Sequence, residues 1–223
     1  MTTENNSDPK NISNFFHGYA HDFSSIYLED TKKRSLFNKV MDKLFRQDIK
    51  DRFDNTLKRA NKDEIQSILD IGCGPGHFVV EFLNWGRDVT AIDIAPGMLE
   101  ITNIRVADLD FDSKYESILA DYMEQEFSDQ FDASVVMGFF DYVKDPVATL
   151  KKLLKDTRKE IYISFPDNKG LLALQRRFRY WLRNCPLYLY DEEKIKEYLR
   201  LANCLDKAEI IKTNRNYFVT IRK

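Results

Sequence analysis

The chain has few of the features that mark secreted, metal-binding or membrane-spanning proteins. It contains only three cysteines in 223 residues, Cys73, Cys185 and Cys204. Because they are odd in number and far apart, we expect neither a disulfide framework nor a cysteine-based metal site. No apolar run approaches the roughly 20 residues of a membrane span, and the polar N-terminus lacks the apolar core of a signal peptide. We therefore expect a soluble, cytoplasmic protein.

The chain also lacks a strong charge of one sign and has little histidine. Its formal net charge is −2 and it contains three histidines. A balance near zero provides no general attraction for nucleic acid or anionic membranes, so a nucleic-acid partner is not expected. His17 and His21 lie four residues apart, on one face of a predicted helix. No third ligand of a suitable type accompanies them, so we predict no metal site.

Three segments with different patterns follow one another along the chain. Residues 1–11 are polar and are predicted to form a disordered tail. Residues 12–60 have helical patterning, and in Thr31–Ala60 apolar residues recur every three or four positions with no Gly or Pro between them. From residue 61 to 223 short apolar runs alternate with helical stretches, which predicts a single large domain.

The alternation in the third segment predicts an α/β fold. Five strands are predicted at residues 66–71, 88–93, 115–120, 131–137 and 160–165, and helices at 76–85, 96–106 and 146–155. Strands that alternate with helices are typical of a parallel sheet with helices on both faces. After a helix at 191–202, AEIIKT and NYFVTIRK are separated by too few residues for a crossover, so they predict an antiparallel hairpin.

Glycine is scarce, yet three of the eight glycines fall in LDIGCGPG, at Gly72, Gly74 and Gly76. A strand that ends in glycines and feeds a helix brings backbone N–H groups close to a ligand. Asp93 ends the second predicted strand, 17 residues after Gly76, where an acid reaches ribose hydroxyls. The combination predicts an adenosine-containing ligand.

The details of this motif favour S-adenosylmethionine (SAM) over NAD. The dinucleotide fingerprint is G-x-G-x-x-G, and here His77 stands where its third glycine would be. The carboxylate of Asp70 would repel a pyrophosphate but would attract an ammonium or a sulfonium. A nicotinamide-dependent reductase is therefore disfavoured.

LDIGCGPG followed by VTAIDIAPGMLE resembles the class I SAM-dependent methyltransferases over roughly residues 60–165. The resemblance implies a Rossmann-like, seven-stranded, mostly parallel sheet with an antiparallel C-terminal hairpin and helices on both faces. NFFHGYAHDFSSIY and the later DRF resemble the first segment of O- and N-methyltransferases such as the magnesium-protoporphyrin enzymes. This implies that residues 12–60 form a helical lid over a SAM-binding domain at 61–223, with an insertion at 167–190 on the side of the methyl acceptor.

The resemblance also implies a set of cofactor contacts. Asp70 and the glycines would cradle the methionine part, Asp93 the ribose, and residues after the second and third strands the adenine. The full cofactor-binding set is Tyr19, Arg52, Asp70, Gly72, Cys73, Gly74, Gly76, Asp93, Ile94, Met98, Asp121, Tyr122, Met137 and Gly138. Within it, Cys73 is a small residue that fills the glycine turn and is not a nucleophile, and Asp121 could instead cap the turn that follows it.

Three residues are candidates for a catalytic role toward the methyl acceptor: Asp141, Tyr142 and His17. Transfer to a hydroxyl requires a base such as a carboxylate or a histidine, whereas a neutral amine only has to be held in line with the methyl group. Asp141 could equally cap a helix or a turn. The sequence therefore leaves open whether a base is used.

The segment QRRFRYWLRNCPLYLY, residues 175–190, interleaves arginines with aromatic residues. It could be a surface helix packed on the domain, a cover over the acceptor site, an RNA contact or a membrane-surface helix. The sequence as a whole predicts methyl transfer from SAM to oxygen or nitrogen of a small molecule. The alternatives are methylation of RNA or protein, and a noncatalytic SAM-binding subunit.

Overall fold

The computed structural model describes residues 12, 13, 16, 50–169 and 186–223. Within them the strands are β1 (Ser67–Ile71), β2 (Asp88–Asp93), β3 (Tyr115–Leu119), β4 (Phe131–Val136), β5 (Thr157–Pro166), β6 (Ala208–Lys212) and β7 (Asn216–Arg222). They form one sheet in the order β3-β2-β1-β4-β5-β7-β6. Strands β1 to β5 pair in parallel, and β7 is antiparallel to both β5 and β6. The predicted sheet and its C-terminal hairpin are confirmed.

Besides the helical residues 12, 13 and 16, five α-helices lie among the described residues. They are α1 (residues 50–60), α2 (His77–Asn84), α3 (Pro96–Ala107), α4 (Pro146–Asp156) and α5 (Glu192–Leu201), and a 3₁₀ turn follows at Leu205–Lys207. Prolines open α3 and α4, where their missing N–H is tolerated. The side chain of Asp145 caps α4 by accepting a hydrogen bond from Ala148 N. The rest of the long helix predicted at 31–60 lies outside the described residues.

Helices cover both faces of the sheet, as predicted. Alternate residues of each strand point to opposite faces, so β1 directs Leu69 and Ile71 into one core and Ile68 into the other. Apolar residues of α4 and α5 complete the first core, and those of α1, α2 and α3 complete the second. No helix of the described residues has the length and apolar character needed to cross a membrane.

Strand β5 is longer than the sequence predicts. It begins at Thr157, directly after the last residue of α4, and its first residues pair with β4 across a register shift near Phe131. The buried apolar run covers only the second half of the strand, and residues 157–160 are polar. A pattern based on burial therefore misses backbone pairing at the polar end.

The chain leaves β1 toward β2 on one side and later enters β4 on the other side of β1. This reversal makes the carboxyl ends of β1 and β4 the topological switch point of the sheet, where open α/β folds bind their ligands. The glycine turn follows β1 at this point.

Candidate active site

A cavity of about 400 Å³ lies at the carboxyl ends of β1 to β4. The predicted cofactor-binding residues that line it are Arg52, Asp70, Gly72, Cys73, Gly74, Asp93, Ile94, Met98, Asp121, Tyr122, Met137 and Gly138. Gly76 does not line the cavity, and Tyr19 lies outside the described residues. The topology thus brings together side chains from four strand ends and from α1.

The glycine turn is tied to β2. Gly72 N donates to Ile92 O at 2.8 Å, and Gly74 N donates to Asp93 Oδ2 at 2.9 Å. Gly72 and Gly74 have φ angles of 65° and 54°, in the left-handed region that favours glycine. A Cβ at Gly72 would lie 3.0 Å from the ring of Phe139. The turn is therefore held in a shape that leaves its backbone facing the cavity.

Gly76 is also required for the packing of two helices. Its φ is 75°, and a Cβ there would lie 2.5 Å from Thr102 Cγ2 on α3. Thr102 Oγ1 donates in turn to Gly74 O at 2.8 Å. Gly76 thus allows α2 and α3 to pack closely. It also leaves the first turn of α2 without a side-chain cap, so the N–H groups of that turn have positive character available to an anion.

Asp70 is the most unusual group in the cavity wall. It is 2% exposed, and its Oδ2 atom has no hydrogen-bond partner among the described residues. Burial, reinforced by the nearby carboxylate of Asp93, raises the pKa of Asp70 to about 8. A buried acceptor without a partner is costly, and a cationic donor in the cavity would relieve that cost. The position suits the ammonium group of SAM.

Asp93 holds two backbone segments at once. Its Oδ2 accepts the Gly74 N–H, and its Oδ1 accepts the Ala95 N–H at 2.8 Å. Burial raises the pKa of Asp93, and these backbone donors oppose the rise. The carboxylate therefore positions both the glycine turn and the start of α3 while it lines the cavity.

Two further titratable groups in the wall are uncharged at neutral pH. Burial raises the pKa of the Cys73 thiol well above its usual value, and Asp93 and Asp70 add to the effect, so it stays a thiol. Burial, together with Arg105, lowers the pKa of His77 to about 3. Arg105 Nη1 lies 3.0 Å from the His77 ring nitrogens. His77 lines the cavity, although in the sequence it only marks a departure from the dinucleotide fingerprint.

Asp121 caps a turn and also lies in the cavity wall. Its Oδ1 accepts the Met123 N–H at 2.9 Å, which caps the turn after β3, and the residue lines the cavity. The next residue, Tyr122, is buried and directs its hydroxyl to Asp156 of α4. This turn forms the wall on the β3 side of the cavity.

Asp141 and Tyr142 also line the cavity. Asp141 is 1% exposed, and its main-chain carbonyl accepts the Tyr188 N–H at 2.8 Å. The helix cap in this region is Asp145. His17, His21 and the arginines of residues 176–183 lie outside the described residues.

Several aromatic residues of the cavity were not predicted as site residues. Phe16 meets the Tyr142 ring edge-on at 5.2 Å and packs on Ala95 and Met98. Phe53, which helical spacing assigns to a core face, lies 5.0 Å from Phe78, and both line the cavity. The available signals were the NFF and DRF segments quoted for the N-terminal resemblance.

The N-terminal residues that the structure describes lie over the site. Ser13 Oγ donates to Ile94 O at 2.8 Å, and Ile12 and Phe16 line the cavity. These contacts connect the chain before α1 to the start of α3 and to the loop after β4. Across the described residues, no group of three or more His, Cys, Asp or Glu side chains is arranged to hold a metal ion.

Comparisons with known proteins agree with this geometry. Residues 68–159 match the methyltransferase domain family. The malonyl-[acyl-carrier protein] O-methyltransferase of Acetivibrio thermocellus is 32% identical over 115 residues, which cover 51% of this chain and 39% of that protein. The ubiquinone biosynthesis O-methyltransferase of Hydrogenovibrio crunogenus is 27% identical over 109 residues, 49% of this chain and 45% of that one. The chain thus spans less than half the length of these relatives.

A solved structure shares the fold over nearly the whole chain. Magnesium protoporphyrin IX methyltransferase from Synechocystis PCC 6803, with SAH bound, superposes with a TM-score of 0.72 at 15% identity and covers 97% of this chain and 100% of its own. The parallel sheet with its reversed hairpin and the glycine turn at its switch point define a class I, Rossmann-like methyltransferase fold. Residues 68–159 thus match the model of a methyltransferase domain, within a chain whose fold is that of the class I methyltransferases.

Proposed function

We propose that this protein transfers the methyl group of SAM to an oxygen or nitrogen atom of a small molecule. The observation that carries the proposal is the buried Asp70 carboxyl, whose Oδ2 has no partner in the described residues and which lines the cavity beside the glycine turn. A carboxyl in this position suits a ligand with a cationic amino group and opposes one with a pyrophosphate. SAM has an adenosine part and an amino-acid end with such a cationic amino group.

Residues around the cavity can hold each part of SAM. Asp70 would accept from the ammonium, and Arg52 with the uncapped N-terminus of α2 would hold the carboxylate. Asp93 would accept from the ribose hydroxyls. Ile94, Met98, Asp121 and Tyr122 would enclose the adenine, and Met137 and Gly138 would form the floor near the sulfur.

When bound, SAM supplies a methyl group on a sulfonium, which is electrophilic and leaves a neutral thioether. The protein's own part is to position the methyl acceptor and exclude water. Phe16, Phe53 and Phe78 provide apolar walls for the second task. Asp141, which is buried and lines the cavity, would take a proton from a hydroxyl acceptor, with Tyr142 beside it, and His17 remains a further candidate.

The relatives suggest which acceptors to test first. Two are named O-methyltransferases, for malonyl-[acyl-carrier protein] and for ubiquinone biosynthesis, and the structural neighbour is named for magnesium protoporphyrin IX. Together with the buried Asp141, these names favour oxygen nucleophiles, and amines come second. Protein or RNA methylation, and SAM binding without turnover, are the alternatives.

Calorimetry with SAM, S-adenosylhomocysteine and NAD tests the cofactor part of the proposal. We expect binding of the first two and none of NAD. A screen of carboxylic acids, phenols and amines, read out by mass spectrometry for the added methyl group, tests transfer. Tight binding of NAD would refute the proposal, and so would a folded protein that shows no binding of SAM. Binding without turnover on any small molecule, protein or RNA would favour the noncatalytic subunit.

A further inference from the structure

One face of α4 holds the turn that follows β3. Thr149, Lys152 and Asp156 lie on this face at helical spacing. Asp156 Oδ2 accepts the hydroxyl of Tyr122 at 2.9 Å, and Lys152 Nζ lies 4.8 Å from the centre of the Tyr122 ring. Thr149 Oγ1 lies 3.5 Å from Met123 Sδ. The turn at Asp121–Met123 therefore contacts α4 at three successive points.

Burying the Lys152–Asp156 ion pair at this position carries a desolvation cost. The two side chains are 9% and 3% exposed and their charged atoms lie 3.0 Å apart. Buried ion pairs recover their desolvation cost only with good geometry and further hydrogen bonds, and apolar replacements are often as stable. Asp156 is also the last residue of α4, where a negative charge opposes the helix dipole. Stability alone does not explain these two residues.

What the pair does provide is a fixed position for Tyr122. Asp156 Oδ2 receives two donors, the Lys152 ammonium and the Tyr122 hydroxyl. Burial and the Asp156 carboxylate raise the pKa of Tyr122, so its hydroxyl remains a donor. The Tyr122 ring also meets Phe139 edge-on at 6.3 Å, and Phe139 packs against the glycine turn at Gly72. The phenol thus connects α4 to two walls of the cavity.

The turn has particular need of such an anchor. Strand β3 lies at the edge of the sheet and pairs only with β2 among the described strands. Asp121 follows it after one intervening residue, and its carbonyl accepts the N–H groups of Glu124 and Gln125 at 3.0 and 3.1 Å. Because Asp121 and Tyr122 are adjacent, a shift of the phenol would shift the Asp121 carboxylate in the cavity.

We infer that Lys152 and Asp156 are positioning residues, which hold Tyr122 and through it set the Asp121 carboxylate to recognise the exocyclic amine of the adenine ring. The inference rests on the proposed function, because it assigns the ligand of this wall as the adenine of SAM. It predicts selective loss: weakening the anchor reduces affinity only for ligands that carry the amine.

The test compares two ligands on two matched variants by calorimetry. The ligands are S-adenosylhomocysteine and its 6-deamino analogue, in which unsubstituted purine replaces adenine. Tyr122→Phe removes the hydroxyl that Asp156 holds. Tyr115→Phe is the control, because it removes the hydroxyl of another β3 residue, bonded to Asn103 Oδ1 at 2.8 Å away from α4.

We expect Tyr122→Phe to weaken S-adenosylhomocysteine about tenfold, the loss of one hydrogen bond to a charged group. The same variant should bind the deamino analogue as the unaltered protein does, and Tyr115→Phe should change neither affinity. A second variant, Lys152→Met with Asp156→Leu, removes both charges together and should reproduce the selective loss without leaving a lone buried charge.

Equal losses for the two ligands would overturn the inference, because they would indicate a general structural effect. Unchanged binding of S-adenosylhomocysteine by a folded Tyr122→Phe protein would also overturn it, and would leave the proposed function intact. Unaltered protein that binds neither ligand would overturn the proposed function and this inference with it.

Discussion

Asp93 has two structural hydrogen bonds in addition to its proposed contact with ribose. Asp93→Ala should weaken SAM binding by about 1.5–3 kcal/mol, because it removes the hydrogen bonds to a charged group and releases Gly74 and Ala95. Calorimetry with SAM measures this loss. Asp88→Ala is the matched control: it starts the same strand and its Oδ1 accepts the Lys114 N–H at 2.8 Å. If the two variants bind SAM equally well, the assignment of Asp93 is wrong.

Asp70 should make the stability of the ligand-free protein depend on pH. Its pKa is raised to about 8 in the folded state by burial and by Asp93, from an ordinary value of 3.8. Between these values the folded state holds a proton that the unfolded state has released. The stabilisation is therefore complete below about pH 4 and is lost as the pH rises through about 8.

Urea unfolding of the parent protein and of Asp70→Asn at several pH values measures this effect. The parent's free energy of unfolding, relative to the variant, should fall from pH 5 to pH 8 by at most about 1.4 kcal/mol per pH unit. It should level off above that range. A difference that does not change with pH would show that Asp70 is ionised in the folded protein.

The sequence could predict these two acids because their signal is local. Asp70 is the penultimate residue of β1 and Asp93 is the last residue of β2, and the fold brings these strand ends to one edge of the sheet. Contacts between side chains from distant segments carry no such signal. The Tyr122–Asp156 hydrogen bond spans 34 positions, and the approach of Arg52 to Gly138 depends on how α1 packs.

At the scale of elements, Gly76 controls how closely α2 approaches α3. Gly76→Ala should destabilise the protein by two effects, a left-handed φ of 75° and the overlap with Thr102. Gly86→Ala is the control, because its φ is 70° and a Cβ there would meet nothing within 4 Å. We expect about 1 kcal/mol for Gly86→Ala from the backbone alone. Gly76→Ala should cost about 1–3 kcal/mol more from overpacking. Equal losses in urea unfolding would mean that Thr102 moves aside freely.

The N-terminal segment should respond to the cofactor. Ile12 and Phe16 line the cavity, and Ser13 is bonded to Ile94 O. A ligand that fills the cavity adds contacts to these residues, so amide hydrogen exchange in peptides covering residues 12–16 should slow when S-adenosylhomocysteine binds. Helix α5, at Glu192–Leu201, serves as the internal control and should not change. Equal exchange of residues 12–16 in both states would contradict a lid role.

The boundaries of helices and strands were predictable where a change in the hydrophobic pattern coincides with a glycine or a proline. The glycines after β1 and the prolines that open α3 and α4 mark boundaries that the structure confirms. The start of β5 was not predictable, because its polar residues follow α4 without a turn or a breaking residue. Pairing there is imposed by β4, a neighbour whose position only the assembled sheet defines.

At the scale of the whole molecule, the part of the cavity proposed for the cofactor is easier to predict from the sequence than the part proposed for the methyl acceptor. The proposed cofactor side is built from strand ends, and the α/β alternation predicts that these ends share one edge of a parallel sheet. The proposed acceptor side would draw on the N-terminal residues, on the loop of Asp141 and Tyr142, and on the chain after β5. The size and charge of that region depend on loops, which vary in conformation independently of the sheet. The fold therefore indicates methyl transfer more directly than it indicates the acceptor.

The arginine-rich segment at residues 175–190 can test whether the cofactor and the methyl acceptor are bound by separate parts of the chain. Replacing Arg176, Arg177 and Arg179 together with Ala removes three donors that could hold a carboxylate or a phosphate. The chain leaves β5 at the carboxyl ends of the parallel strands, and the glycine turn, Asp70 and Asp93 are the contacts proposed for the cofactor. We expect unchanged SAM affinity and a raised KM for the methyl acceptor, measured by calorimetry and by initial rates. A fall in SAM affinity of about tenfold with unaltered acceptor kinetics would assign the segment to the cofactor site. No change in either would support a surface helix that packs on the domain, because such a helix carries its arginines into solvent.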